Sequence, residues 1–187
     1  MNTSNINNIY VNTDERLFYI SDGIDSTSLG KICFNLLFLL KQDDKKEETE
    51  KNFTRKPIEI YINSFGGSVY DMWALIDIIV NSKTPIHTYC TGYAMSAGFL
   101  IFLAGHKRFV TKHATLMCHQ LSMWDGGKLS DMQQVMEERE ENQRDIEEFI
   151  IKQTVIPQSK LDDIRTKKID WYIKSSEVKE LGIAEVI

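Results

Sequence analysis

One hydroxyl in this chain sits where it could act as a nucleophile. The stretch Gly92-Tyr93-Ala94-Met95-Ser96-Ala97-Gly98 follows a β-like segment, Pro85 to Thr91, and runs into an apolar helix-capable segment, Phe99 to Ala104. Ser96 therefore lies at a strand-to-helix elbow flanked by small residues. Such an elbow presents a serine for attack and leaves neighbouring N–H groups at a helix start for a developing oxyanion. A hydroxyl is a weak nucleophile near neutral pH, so it needs a base, and the base needs an orienting partner. Four histidines are available. His87 lies within a strand candidate, and His106 and His113 lie among basic, loop-like residues. Only His119 ends an apolar strand candidate, Thr115 to Cys118, where a ring reaches a neighbouring strand end. No H-E-x-x-H or comparable ligand spacing occurs, so neither a metal nor any other cofactor is expected.

The elements that must position these groups follow a strand–turn–helix pattern. Leu17-Phe18-Tyr19-Ile20 reads as a first strand. Asp25 to Ser28 offers caps for a helix whose Leu29, Ile32, Cys33, Leu36, Leu37 and Leu40 repeat with helical spacing. The charged stretch Lys41 to Lys56 reads as a solvated loop. Pro57 to Asn63 has isoleucine at every second position, Ser64-Phe65-Gly66-Gly67 makes a turn, and Ser68 with Asp71 opens a helix in capping-box style. A strand from Pro85 follows, which implies a parallel pair joined by a right-handed crossover. The result is an α/β domain with glycine-rich turns at its strand ends, where sites in open sheets form.

After short strands at Lys107–Thr111 and Thr115–Cys118, a long helix is expected from Lys128 to about Thr154. Its middle, Glu137 to Asp145, contains no apolar residue. A helix polar all round projects into water or bridges to another body. Pairs such as Glu140 with Arg144 are expected on it, each worth only about 0.3–0.5 kcal/mol. Ser159 is expected to cap a short helix from Lys160 to Lys168. Ile169 to Ile173 and a helical turn from Ser176, ending at Gly182, close the chain.

Composition bounds the function. The chain has 187 residues, 42% hydrophobic and 26% charged, with a net charge of −5. It is read as one domain with a real core. The negative charge argues against nucleic acid, and the longest apolar run, Leu36 to Leu40, is far too short for a membrane span. The first residues lack the basic start and apolar stretch of a signal peptide. Cys33, Cys90 and Cys118 read as reduced thiols, which gives a cytoplasmic expectation.

Four motifs together resemble the Clp protease proteolytic subunit family. They are Ile60-Tyr61-Ile62-Asn63-Ser64-Phe65-Gly66-Gly67-Ser68-Val69, the Ser96 elbow, Met117-Cys118-His119-Gln120, and Asp170-Trp171-Tyr172-Ile173 with Glu177 and Glu180-Leu181-Gly182-Ile183. The resemblance covers roughly residues 17 to 187. It implies Ser96 as nucleophile, His119 as base and then acid, and Asp170 as the orienting carboxylate. It implies an oxyanion hole from the backbone N–H groups of Gly67 and Ala97. A peptide would add as a strand between Gly66-Ser68-Val69 and Leu121-Ser122-Met123.

The fold implied is α/β, of Clp-protease and crotonase-like type, mostly parallel. Its head spans about 17–122 and 169–187, its handle about 123–168, and its arm 1–16. The family further implies stacked heptameric rings, a closed chamber, polypeptide substrates and a partner unfoldase of the AAA+ class. No nucleotide-binding loop of the G-x-x-x-x-G-K-[ST] type occurs, so any unfolding is powered elsewhere. Phe65 and Leu121 stand where the family carries proline, and the arm before Leu17 is shorter than the family's. Alternatives from the residues are a processing peptidase without an ATPase, a non-catalytic ring subunit, and an acyl-CoA enzyme of the crotonase fold.

Overall fold

The computed structural model describes residues 9–122 and 129–187. Its centre is a sheet ordered β1-β2-β3-β4-β5-β8, with β6 paired to β4 and β7 paired to β6. The strands are β1 (Ile9–Asn12), β2 (Leu17–Ile20), β3 (Ile58–Ser64), β4 (Ile86–Met95), β5 (Lys107–Val110), β6 (Thr115–Cys118), β7 (Trp171–Lys174) and β8 (Glu185–Val186). The pairs β2–β3, β3–β4, β4–β5, β4–β6 and β5–β8 are parallel, and β1–β2 and β6–β7 antiparallel. The helices are α1 (Ser26–Thr49), α2 (Val69–Val80), α3 (Ala97–Leu103), α4 (Leu129–Gln153) and α5 (Gln158–Lys167). This is the mostly parallel α/β architecture expected, with a long helix inserted between β6 and β7. Among the described residues no helix is long and apolar enough to cross a membrane.

The core forms where the two periodicities meet. Every second residue of β3 is buried, including Ile58, Ile60 and Ile62, and the pleat turns that face toward the helices. From α2, Met72, Leu75, Ile76 and Ile79 pack down onto it, and Leu29, Ile32, Leu36 and Leu39 do so from α1. Asp25 and Ser28 exchange the two bonds of a capping box at the start of α1, while the Ser68 hydroxyl accepts the Asp71 N–H at the start of α2.

Several expectations are corrected. The part of the charged stretch from Lys41 to Thr49 is helix, not loop. The buried stripe of α1 runs Leu29, Ile32, Leu36, Leu39 and then Asp43, which continues the same helical spacing. Asp43 is only 2% exposed and accepts both Arg16 guanidinium nitrogens, at 3.1 and 2.6 Å, and the Thr84 hydroxyl at 2.8 Å. Arg55 folds the following chain back onto Asp44 and Glu47, each at 2.6 Å. Part of the expected loose arm is the edge strand β1, paired to β2. Ser159 does not cap α5, because the helix starts at Gln158, two residues earlier than expected, behind Pro157. Residues 176–181 form turns, and Gly182 does take a left-handed φ of 63°. The short strand β8 was not anticipated.

The Arg16–Asp43 pair ties the β1–β2 hairpin to the far half of α1. Burial on its own would raise the Asp43 carboxyl, but the bonds from Arg16 and Thr84 outweigh it and hold it below its ordinary value. The ion pair is therefore present above the ordinary carboxylate range and lost as pH falls through the lowered value. Arg16→Ala strands a buried carboxylate and is expected to cost about 3 kcal/mol at pH 7 in urea unfolding. That deficit should shrink as pH drops below about 5, where the stranded group takes up a proton.

Candidate functional site

Strand register brings the candidate residues together. β4 pairs with β5 over His87–Cys90 and with β6 over Tyr93–Met95, so it changes neighbours midway. The change happens at an irregularity, since Ile62 faces Cys90 but Ser64 faces Ala94 on the β3 side. The Asn63 side chain accepts the Tyr93 N–H at 3.1 Å and patches the distorted ladder. With Met95 opposite Met117, the parallel register carries Ser96 and His119 out of adjacent strand ends. With Cys118 opposite Trp171 in the antiparallel pair, Asp170 comes out beside His119.

The elbow is a backbone conformation of its own. Ser96 has φ 53° and ψ −124°, a region that costs a non-glycine residue about 1–3 kcal/mol. Its N–H donates to the Met117 carbonyl at 2.9 Å, and its own carbonyl accepts from Phe99 and Leu100 at 3.0 and 3.2 Å. Gly66, at φ 103°, lies against it so closely that a Cβ would come within 2.8 Å of the Met95 carbonyl and the Ser96 Cβ. Gly67, at φ 152°, sits against Ile24, whose N–H donates to the Gly66 carbonyl and whose carbonyl accepts the Ser68 N–H. That pattern uses the groups on either side of Gly67 and leaves the Gly67 N–H out of the bridge. The Ala97 N–H opens α3 and has no upstream helical carbonyl.

His119 Nε2 lies 2.8 Å from Ser96 Oγ, a full hydrogen bond. On the other side of the ring, Nδ1 lies 3.8 Å from the nearer Asp170 oxygen. That is close enough for charge attraction and too long for a hydrogen bond. The Asp170 side chain is 55% exposed and that of His119 22%. Cys118, beside His119, does not compete as a nucleophile, because burial and then the nearby Glu147 push its thiol up to about 12.

A cavity of about 390 Å³ opens at Ser96. Gly66, Gly67, Ala97, His119, Leu121 and Ser122 line its mouth, and Val69, Met72, Phe99, Leu100, Ile146 and Ile150 its apolar interior. The structure thus gathers every predicted site residue at one cavity except Ser68 and Asp170, and Asp170 lies on the far side of the His119 ring. Ser68 spends its hydroxyl on the α2 cap and its N–H on Ile24. Met123 lies outside the described residues.

Residues 2–187 match the Clp protease family model. The chain belongs to the Clp protease family. It is 31% identical over 179 residues to "ATP-dependent Clp protease proteolytic subunit 1" of Shouchella clausii, covering 92% of this chain and 84% of that protein. It is 34% identical over 120 residues to "ATP-dependent Clp protease proteolytic subunit 2" of a Synechococcus species, covering 63% of this chain and 56% of that protein. Membership makes the chain a Clp-type serine peptidase, in the fold that the four motifs implied.

Sequence reasoning missed a set of residues that reach the site from the long helix. The Leu121 N–H donates to the Gln143 side-chain carbonyl at 2.8 Å. The Gln143 amide in turn donates to Glu147 at 2.8 Å, and Glu147 also accepts from Gln158 at 2.8 Å and faces Arg165 at 3.5 Å. Glu147 is only 6% exposed, so these partners offset the loss of its hydration. This chain of bonds fixes the segment after His119 to α4 and α5. Leucine at 121 supplies the N–H that the family's proline lacks, and that departure was the available signal. Gln143→Ala leaves the Leu121 N–H without its partner. It is expected to cost about 1–2 kcal/mol in urea unfolding and to lower kcat/KM on a short peptide about tenfold. Unchanged kcat/KM would separate this bond from the site.

Proposed function

We propose that Ser96, His119 and Asp170 form the catalytic triad of this peptidase and that it is an endopeptidase acting on unfolded chains and short peptides. The observation that carries the reading is the 2.8 Å contact between His119 Nε2 and Ser96 Oγ at the mouth of an apolar cavity. His119 Nε2 takes the hydroxyl proton as Oγ attacks the scissile carbonyl carbon. The carbonyl oxygen becomes an oxyanion held by the Gly67 and Ala97 N–H groups, where each donor is worth about 10²–10³ in turnover. His119 then returns the proton to the leaving amine, and the acyl-serine is hydrolysed by water activated at the same nitrogen. Asp170 orients Nδ1–H and stabilises the imidazolium.

The cavity lined by Val69, Met72, Phe99, Leu100, Ile146 and Ile150 accepts an apolar side chain of the residue whose carbonyl is attacked. The backbone of Leu121 and Ser122 pairs with the peptide as an added strand, which binds with little sequence preference. Assembly into stacked rings around a chamber, through the polar middle of α4, fits a helix whose Glu137, Glu138, Glu140 and Glu141 are all exposed. A AAA+ partner would supply the unfolding that a chain without a nucleotide-binding loop cannot power.

A fluorophosphonate probe is expected to label Ser96 alone in peptide mapping by mass spectrometry. Ser96→Ala should abolish labelling and peptide hydrolysis with an unchanged circular dichroism spectrum. Labelling elsewhere, or retention of more than a few per cent of activity, would refute the assignment. Activity is further expected to follow assembly, because Asp170 must close about 1 Å on His119 to make a hydrogen bond, and a misplacement of that size costs about 10²-fold. Peptidase activity should therefore sediment with a multi-subunit particle; a fully active monomer would contradict it.

A further inference from the structure

Among the described residues, two phenylalanines line the Ser96 cavity, and they differ in kind: Phe99 is 1% exposed, whereas Phe65 is 67% exposed. The exposure of Phe65 follows from register. Ser64 and Ala94 face each other across β3 and β4, and both are fully buried. The pleat therefore turns their chain neighbours, Phe65 and Tyr93, to the opposite face of the sheet, away from α2 and α3. There the two rings pack with centroids 4.2 Å apart and planes inclined at 32°. The backbone beneath them is held on both sides. The Ser64 hydroxyl donates to the Asp22 carbonyl at 2.6 Å and accepts the Gly66 N–H at 3.1 Å, while the Gly66 carbonyl accepts from Ile24 at 2.9 Å. On the other strand, Asn63 holds the Tyr93 N–H, and Thr115 is the ladder partner of Tyr93. One aromatic face thus stands fixed and open at the mouth of the cavity, where the proline of the family pattern offers no ring of this kind.

We propose that Phe65, backed by Tyr93, is a specificity-determining residue that takes an aromatic or large aliphatic side chain from the leaving-group side of the scissile bond. The proposal rests on the peptidase reading above and adds a preference beyond the cut to it. Met72, Phe99 and Leu100 in the cavity interior come from helices on one face of the sheet, and Phe65 stands at the other face. Ser96 lies between them at the strand ends. Successive side chains of an extended peptide point to opposite faces. With the side chain of the attacked residue in the cavity, its two neighbours turn toward the Phe65 face. The glycine turn separates those neighbours. Gly67 holds the oxyanion, and Val69, which follows it, lines the interior that takes the acyl half. Phe65 precedes Gly67 and is left to the departing half. Covering its open face removes apolar surface of both partners from water, and ring-on-ring contact favours an aromatic occupant.

The test uses internally quenched peptides that share one acyl half ending in Leu and differ only at the next residue, which is Phe, Leu or Ala. Products are mapped by mass spectrometry. The unaltered protein is expected to cut the Leu–Phe bond with kcat/KM about tenfold above that for the Leu–Ala bond. Phe65→Ala and Phe65→Pro should each bring the Phe:Ala ratio near one, and Tyr93→Leu, which removes only the backing ring, should lower it. The ratio compares two peptides on one protein, so a general loss of activity in a variant cancels. A ratio near one in the unaltered protein would overturn the proposal, as would a ratio that survives Phe65→Ala or cleavage confined to the bond after Phe. The shared acyl half is also offered as its methyl ester, which has no residue beyond the cut. Ester hydrolysis with a Phe:Ala ratio of one refutes the platform and leaves the peptidase reading standing; no turnover of ester or peptide refutes both. If the ratio is one and Phe65→Ala alters the sedimenting particle, a second copy of the chain covers the ring, and the substrate role is refuted.

Discussion

The structure depends on holding Ser96 in a backbone conformation that its side chain disfavours. A non-glycine residue at φ 53° and ψ −124° persists only where its surroundings over-determine it. Three constraints do so here. The Met117 carbonyl holds the N–H, the first turn of α3 holds the carbonyl, and Gly66 closes over the elbow with no Cβ to obstruct it. The constraints come from β6, from α3 and from the turn after β3, so the elbow cannot relax without disturbing one of these three elements. The cost is met by the core that α3 brings with it, since Phe99, Ile101, Phe102 and Leu103 are all buried.

Register does the rest of the positioning. The irregularity at Asn63 lets β4 serve two neighbours, β5 along its first half and β6 along its second. Without that change of partner, β6 would have no place beside the strand that ends in Ser96. Because β6 then pairs antiparallel with β7, the entry to β7 lies beside the exit of β6. Asp170 and His119 are thus neighbours in space although α4 and α5 separate them in sequence. The ladder between β6 and β7 keeps these two strand ends adjacent across the whole of α4 and α5.

What was legible in the sequence follows from this. Isoleucine at alternate positions of β3, the helix start at Ser68 and the small residues around Ser96 are local patterns, and each appeared where it was read. The error at Lys41–Thr49 was also local in origin. Charge density was taken for solvent exposure, whereas Asp43 continues the buried stripe because Arg16 and Thr84, distant in sequence, await it. The same limit hid Gln143. Its side chain acts on a backbone N–H 22 residues away, and no spacing rule on α4 marks it. Ser68, read from its place beside the glycine turn as a substrate contact, has its hydroxyl engaged in capping α2.

The unequal bonding of His119 is a consequence of which elements own its partners. Ser96 and His119 leave neighbouring parallel strands of one sheet, and their separation is fixed by a short ladder at 2.8 Å. Asp170 precedes β7, and the chain reaches it through the end of α5, where Lys168 turns in a left-handed conformation and Ile169 and Asp170 are exposed. Residues 165–170 are all exposed, so Asp170 remains half in solvent at 3.8 Å. The side of the ring that meets Ser96 is set by the sheet, and the side that meets Asp170 is set by the chain that leaves α5. A body that packs on the end of α5 therefore acts on the separation of His119 and Asp170, while the Ser96–His119 bond stays set by the sheet.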